Sequence, residues 1–183
     1  MKNGDSHKIL STSFFDRPTL TVARELLGKF LVVRQEDGTE IAVMICETEA
    51  YDGPEDRASH AFRGKTKRTN VMFGAAGVWY IYLIYGMYWM LNIVTGPEAY
   101  PAAVLIRAVG DYTGPGKLTK ALRIDKRFHE KPASRTTGLW IEDRGEQLQY
   151  EIKQTPRIGV DYAGPHWSQK EYRFLLVKKT NLY

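Results

Sequence analysis

Two acidic residues and a tyrosine alternate at the end of one apolar run. Residues 41–46 are largely apolar, and Glu47, Glu49 and Tyr51 follow at every second position. Because side chains on a β-strand alternate between its two faces, these three are predicted to share one face. A pair of carboxylates is typical of glycosidic-bond hydrolysis, in which one group activates water and the other protonates the leaving group. The alternative is a pair of solvated glutamates on an edge strand.

Two further polar residues are candidates for the same site. Arg107 is the one charged residue of the run 102–109. An arginine in an apolar strand needs an acceptor, so we expect Arg107 to pair with one of the glutamates. His60 follows Tyr51 by nine residues within a predicted loop, which favours a shared pocket.

A dense group of aromatic residues lies between positions 79 and 89. Side chains at this density usually pack in a core. Tyr85 is an exception, because Tyr85-Gly86 lies at the predicted turn of a β-hairpin and a side chain at the tip stays exposed. An exposed aromatic residue there is suited to wedge between stacked bases. On the adjoining strands, Tyr80 and Tyr82 offer a stacking surface, and the Asn92 amide can read a base edge.

The positive charge is concentrated in two segments. The net charge is +5 and the pI is near 9.2, which fits a polyanionic partner without requiring one. Either cluster alone is typical of a solvated surface. Two clusters flanking an aromatic hairpin favour nucleic acid, and we expect contacts to its backbone. The residues concerned are Arg63, Lys65, Lys67 and Arg68 in a loop, and Lys117 and Lys120 in a helix.

Length and composition indicate one intracellular domain spanning residues 1–183. The single cysteine, Cys46, excludes an intramolecular disulfide and a cysteine-based metal cluster. Residues 1–8 are polar and lack the apolar segment of a secretory signal. The uncharged run 71–97 is long enough for a bilayer, but its glycines and alternating aromatics favour a hairpin, so no membrane partner is expected.

The secondary-structure pattern indicates an α+β fold. Pro18 precedes an amphipathic helix that ends at Gly28, and Gly114-Pro115-Gly116 precedes a helix over 117–124. The other segments are locally joined strands, so we expect a mostly antiparallel sheet with packed helices. The predicted strands are 29–35, 40–51, 78–84, 87–94, 102–109, 138–142, 150–153 and 172–178.

Several long motifs resemble one known family. They are ETEAYDGPEDRASH (47–60), the run 72–92, VLIRA (104–108) and GPGKLTKAL (114–122), with weaker matches at 14–32 and 157–164. Together they resemble the alkyladenine, or 3-methyladenine, DNA glycosylase family of the mammalian type. The resemblance loosens over 127–150 and after 178. It implies one domain around a curved antiparallel sheet, with a protruding hairpin that contacts DNA.

The resemblance also implies catalytic roles. Glu49 matches the general base that deprotonates the attacking water. Arg107 and the main chain near Ile158 match the groups that help to hold this water. Glu47 matches no catalytic residue of the family, so the two-carboxylate hypothesis loses its second member.

Base recognition is implied in the same way. Tyr51 and His60 match one wall of a base pocket and Tyr82 the opposite wall. Tyr85 matches the residue that fills the gap left by the flipped nucleotide, and Asn92 the residue that screens against the 2-amino group of guanine. The resemblance implies a monomer that excises alkylated or deaminated purines from double-stranded DNA, without metal or cofactor. It would act in the cytoplasm of a bacterium or the nucleus of a eukaryote.

Two other functions would use part of the same set of residues. A non-catalytic nucleic-acid-binding module would need the basic loop and Tyr85 but not Glu49 with Arg107. A carbohydrate hydrolase using Glu47 and Glu49 would need carboxylates on opposite sides of a sugar, whereas these two lie side by side on one strand.

Overall fold

A thirteen-residue strand, β3 (Glu40–Asp52), organises the computed structural model, which describes residues 7–146 and 149–178. Its first half pairs with β2 (Phe30–Arg34), and its second half lies between β6 (Ala102–Val109) and β10 (Arg173–Lys178). The remaining elements are β1 (Lys8–Ile9), α1 (Thr12–Phe15), α2 (Thr19–Glu25), β4 (Trp79–Ile84), β5 (Tyr88–Val94), β7 (Tyr112–Thr113), α3 (Pro115–Ala121), β8 (Leu139–Asp143), β9 (Tyr150–Thr155) and α4 (Pro165–Ser168).

Within the described residues, all strand pairings are antiparallel, and the strands form one sheet of ten. The main order is β1-β8-β2-β3-β6-β5-β4, while β10 joins β3 to β9 and β7 pairs with β6. The helix α2 packs on β3, and α3 packs on β5. The predicted α+β class with an antiparallel sheet is therefore confirmed.

The predicted boundaries differ mainly at the helices and in the long loop. The helix predicted between Pro18 and Gly28 is α2, which ends earlier, at Glu25, and the short helix α1 precedes Pro18 in a segment predicted as loop. The helix α3 begins at Pro115, a residue tolerated in a first turn, and ends at Ala121 rather than near 124. The predicted loop after β3 contains two 3₁₀ turns, His60–Arg63 and Asn70–Phe73.

The β4–β5 hairpin ends in a strained turn. Tyr85 and Gly86 both have positive φ, 50° and 68°, and the Met87 N–H closes the turn by donating to the Ile84 carbonyl. A tyrosine in this region is costly, since its Cβ crowds the backbone. The Tyr85 side chain is nevertheless 87% exposed, so it gains no packing that would offset this strain.

The end of the hairpin next to its turn is held by α3. A Cβ at Gly116 would lie 2.6 Å from the Tyr88 ring, so the helix backbone packs directly on that ring. The Thr119 hydroxyl donates to the Trp89 carbonyl over 3.0 Å. These contacts fix the direction in which the hairpin extends from the sheet.

No helix within residues 7–146 and 149–178 has both the length and the apolar character required to cross a bilayer. In the same residues, no three His, Cys, Asp or Glu side chains are grouped as metal ligands would be.

Candidate active site

Glu49 is buried in the second half of β3, where its side chain is 0% exposed. Its Oε1 accepts a hydrogen bond from the Ile158 N–H over 2.8 Å, and its Oε2 accepts one from the Tyr51 hydroxyl over 2.9 Å. Arg107 Nη1 lies 3.4 Å from Oε1. The carboxylate is thus held in one orientation by groups from three segments of the chain.

The surroundings of Glu49 raise its pKa above the ordinary value. Burial is the largest cause, because it disfavours the charged form, and the Glu47 carboxylate adds to it. Arg107, the Ile158 N–H and the Tyr51 hydroxyl act in the opposite direction. A carboxylate of raised pKa that remains oriented is a suitable proton acceptor.

Glu47 lies on the same face of β3 as Glu49, as the alternation predicted. Arg107 Nε donates to Glu47 over 2.9 Å while its Nη1 approaches Glu49, so one guanidinium contacts both carboxylates. Arg173 of β10 also donates to Glu47, over 2.5 Å. Glu47 is therefore neutralised by two arginines, and its side chain is 14% exposed. The solvated edge-strand reading is wrong for both glutamates.

A small pocket beside Tyr51, the residue whose hydroxyl donates to Glu49, gathers the predicted base-binding residues. Its volume is about 40 Å³. That is room for a few water molecules but not for a purine. Tyr51, His60, Tyr82 and Asn92 all line it. The sequence did not single out Tyr162, which also lines it and donates its hydroxyl to the Ala58 carbonyl over 2.8 Å.

The two aromatic groups expected to sandwich a base are in mutual contact. The ring centroids of His60 and Tyr82 are 4.6 Å apart, with the ring planes at 68°. A base stacked between them needs roughly 7 Å, twice the stacking distance in duplex DNA. The predicted walls are thus brought together, and one ring has to move before a base can enter.

His60 is neutral in this pocket. Burial is the main cause that lowers its pKa to about 4, and the Arg68 charge adds to it. Its Nδ1 is 3.0 Å from the Tyr80 hydroxyl. A neutral ring there does not repel a cationic base.

The low pKa of His60 predicts an acid-dependent loss of stability. The unfolded chain takes up this proton near pH 6.5 and the folded protein only near pH 4, so the stabilisation is complete above pH 6.5 and is lost between those values. His60→Gln should flatten the fall in melting temperature across that window. His166→Gln, on the surface, should keep the wild-type slope, and equal slopes for all three proteins would contradict the assignment.

Asn92 is buried, and its amide nitrogen donates to the carbonyls of Tyr80 and Met90 over 3.1 and 3.3 Å. These bonds orient the side chain towards the pocket wall that it lines. They engage the amide nitrogen of the side chain and not its oxygen.

A wide cleft of about 1180 Å³ opens outside this pocket. Tyr85, Arg107 and Ile158 line it, together with Arg63 and Arg68 of the first basic cluster. The four other predicted backbone contacts are exposed but do not line the cleft: Lys65, Lys67, Lys117 and Lys120. Arg57 and Phe62 line it and were missed, since neither belongs to a charge cluster or an aromatic run.

Comparisons with known proteins give matches over most of the chain. The family model for methylpurine-DNA glycosylase (MPG) matches residues 13–113 and 111–180. A relative from Anaeromyxobacter sp. (strain Fw109-5) is 44% identical over 91% of this chain and 88% of its own. One from Legionella pneumophila (strain Corby) is 44% identical over 95% and 96%, and one from Methanocella arvoryzae is 46% identical over 85% and 86%.

All three relatives bear the name "Putative 3-methyladenine DNA glycosylase". The family model covers most of the chain, including both strands that carry the acidic network and the hairpin between them. The chain therefore belongs to the methylpurine-DNA glycosylase family, whose members are DNA-repair hydrolases of N-glycosyl bonds.

Proposed function

We propose that this protein is a monofunctional DNA glycosylase of base-excision repair. It acts as a monomer, in the cytoplasm of a bacterium or the nucleus of a eukaryote. It flips an alkylated or deaminated purine out of duplex DNA and hydrolyses the glycosidic bond with water activated by Glu49. The observation that carries the proposal is the position of Glu49, which is buried and oriented by partners that line the aromatic pocket and the cleft. Tyr51 lines both, and Arg107 and Ile158 line the cleft.

Hydrolysis of the glycosidic bond requires one general base and one water molecule. Glu49 accepts a proton from the water, whose oxygen forms the new bond to C1′ of the flipped nucleotide. The bond from C1′ to the purine nitrogen breaks, and its electron pair leaves with the base. The products are a free purine and an abasic site. The Ile158 N–H and Arg107 stabilise the carboxylate in its charged, proton-accepting form.

An alkylated purine needs no general acid. A purine alkylated at N3 or N7 carries a positive charge, so accepting the bonding electrons makes it neutral. The faces of Tyr82 and Tyr51 attract such a cation, and neutral His60 does not oppose it. A neutral lesion such as hypoxanthine needs a proton from a group that the described residues do not identify.

Single-turnover base release tests the proposal. Duplexes with a single 3-methyladenine, 7-methylguanine, hypoxanthine or undamaged purine are incubated with excess protein, and free base is measured. Release from at least one damaged duplex, with none from undamaged DNA, is expected. Binding to all duplexes without release from any would favour a non-catalytic binding module instead.

The carbohydrate-hydrolase alternative has little geometric support. Glu47 and Glu49 contact the same guanidinium, so they cannot flank a sugar from opposite sides. Release of aryl aglycones from simple glycosides would be the finding in its favour.

Tyr85 is proposed to fill the space that the flipped nucleotide leaves. Tyr85→Asn removes the aromatic ring but keeps a residue that tolerates positive φ, so the turn should persist. Because stacking on an aromatic side chain contributes about 1–3 kcal/mol, lesion-duplex affinity should fall roughly 5- to 150-fold. Tyr150→Ser, at the opposite edge of the sheet, is the control. Equal affinities of all three proteins would argue against the wedge.

A further inference from the structure

A buried ion pair lies next to the site and was not predicted from the sequence. The side chains of Arg157 and Asp56, 101 positions apart, are both 0% exposed. Two hydrogen bonds, of 2.5 and 2.8 Å, join guanidinium to carboxylate. A third, of 2.8 Å, runs from Arg157 Nη1 to the carbonyl of Ala50, the residue that follows Glu49 on β3.

This ion pair is expected to add little to the stability of the fold. Desolvation of two buried charges offsets most or all of their attraction, and apolar residues of similar size often serve as well. The Arg157 Nε is also buried, and no acceptor among residues 7–146 and 149–178 reaches it. An unpaired buried donor is a further cost. These costs favour a role that depends on the position of the pair.

Arg157 shares a peptide group with the donor to Glu49. The Arg157 carbonyl and the Ile158 N–H belong to one planar unit, and that N–H donates to Glu49 Oε1. Because the Arg157 side chain is held by both Asp56 and the Ala50 carbonyl, rotation of this peptide is restricted. The direction of the Ile158 N–H therefore depends on the ion pair.

The same pair supports the wall of the pocket. Asp56 also accepts hydrogen bonds from the N–H groups of Asp52 and Ala58, over 3.1 and 3.0 Å, which closes the turn that leads to His60. The Arg157 guanidinium lies 4.8 Å from the centre of the Tyr51 ring. Movement of Arg157 would thus disturb Tyr51 and the His60 loop as well as Glu49.

We propose that Arg157, paired with Asp56, is a positioning residue that aims the Ile158 N–H at Glu49 and holds Tyr51 and the His60 loop beside it. The proposal rests on the proposed function, in which Glu49 activates water. Arg157 touches neither the water nor the base in this role. It acts through the geometry of the groups that do.

Arg157→Lys is the decisive variant, since lysine keeps the charge but loses the two-pronged pairing. Single-turnover base release at neutral pH should fall roughly 10- to 100-fold, the scale of a small misplacement of catalytic groups. Loss of the Ile158 hydrogen bond should also move the acid limb of the rate profile to higher pH by about one unit. Affinity for lesion duplex should remain close to that of the wild type.

Arg157→Lys replaces none of the other titratable or charged residues around Glu49, so the shift of the acid limb reports on the hydrogen bonds that Ile158 and Tyr51 donate to it. These other residues are Glu47, Tyr51, Tyr82, Arg107, Tyr162 and Arg173. Arg144→Lys is the matched control. Arg144 donates to the nearly buried Glu142 over 2.8 and 2.9 Å, on the opposite side of the sheet, and its variant should keep the wild-type rate and acid limb.

Asp56→Asn disrupts the same pair more severely, because it leaves the buried Arg157 charge without its carboxylate, and it should also slow base release. Melting temperatures are measured for every variant. A lowered melting temperature with a wild-type rate and acid limb, in either folded variant, would show that the pair is only structural and would overturn the proposal.

Glu49→Gln separates the positioning role of Arg157 from the proposed role of Glu49 as the general base. If that variant keeps its activity, the assignment of Glu49 itself fails, whatever Arg157→Lys does.

Discussion

Glu49→Gln should abolish base release and leave the fold at least as stable as that of the wild type. Glutamine has the shape of glutamate but cannot accept the proton of the attacking water, so the rate should fall by 10² to 10⁴ or more, on the order of a general-base contribution. Affinity for lesion duplex should be preserved, because Glu49 is buried and touches no basic residue of the cleft wall except Arg107.

The stability half of this prediction follows from the pKa of Glu49. Since the folded protein raises this pKa, Glu49 stabilises the fold only at low pH, and that contribution is lost as the pH rises through the folded value. At neutral pH the charged carboxylate is therefore a cost that glutamine removes. Rates are measured by single-turnover release and stability by thermal melting at pH 7. Near-wild-type release by the variant would disprove the assigned base.

Arg107→Gln should have the second-largest effect, because two carboxylates depend on one guanidinium. The change removes the cation nearest Glu49 and leaves Glu47 paired with Arg173 alone. The pKa of Glu49 should rise further, since the Arg107 charge is the largest influence that lowers it. Base release at neutral pH should fall about 10²-fold or more, with partial recovery at higher pH as Glu49 loses its proton.

Glu47→Gln is the opposite control for that experiment. It removes a negative charge that raises the pKa of Glu49, so the acid limb should move to lower pH while release at neutral pH stays close to the wild-type rate. Arg107→Gln should therefore move the acid limb of the rate profile to higher pH, and Glu47→Gln should move it to lower pH. Identical profiles for both variants would show that Glu49 does not set the acid limb.

Much of the local structure was predictable because its determinants lie close together in the chain. The strand 102–109 agrees with β6 at both ends, and the hairpin was located from the aromatic runs on either side of Tyr85-Gly86. Alternation along β3 placed Glu47 and Glu49 on one face correctly, although the β3–β6 register shifts between Ile45 and Thr48. The alternation of side chains between the two faces depends only on the strand being continuous, and not on its register with the neighbouring strand.

The sequence predicted that Arg107 pairs with one glutamate, whereas in the structure it contacts two. A lone arginine in an apolar strand signals a missing acceptor, and the structure supplies two, since Glu47 and Glu49 both lie across from it. The family resemblance singled out Ile158, but Arg157 beside it was missed. Its partner, Asp56, is 101 residues away in a different loop, and Asp161, the nearer carboxylate in the sequence, does not indicate that pairing.

The antiparallel α+β fold, the acidic end of β3 and the exposed aromatic tip could all be predicted from the sequence, since each follows from residue types at short spacing. Tertiary structure decided which glutamate is buried and oriented, which basic residues line the cleft, and that His60 and Tyr82 meet in the pocket. Those outcomes depend on burial and on contacts between distant segments, such as the approach of residues 157–158 to β3. Burial raises the pKa of Glu49 and lowers that of His60, and no spacing along the chain encodes that environment.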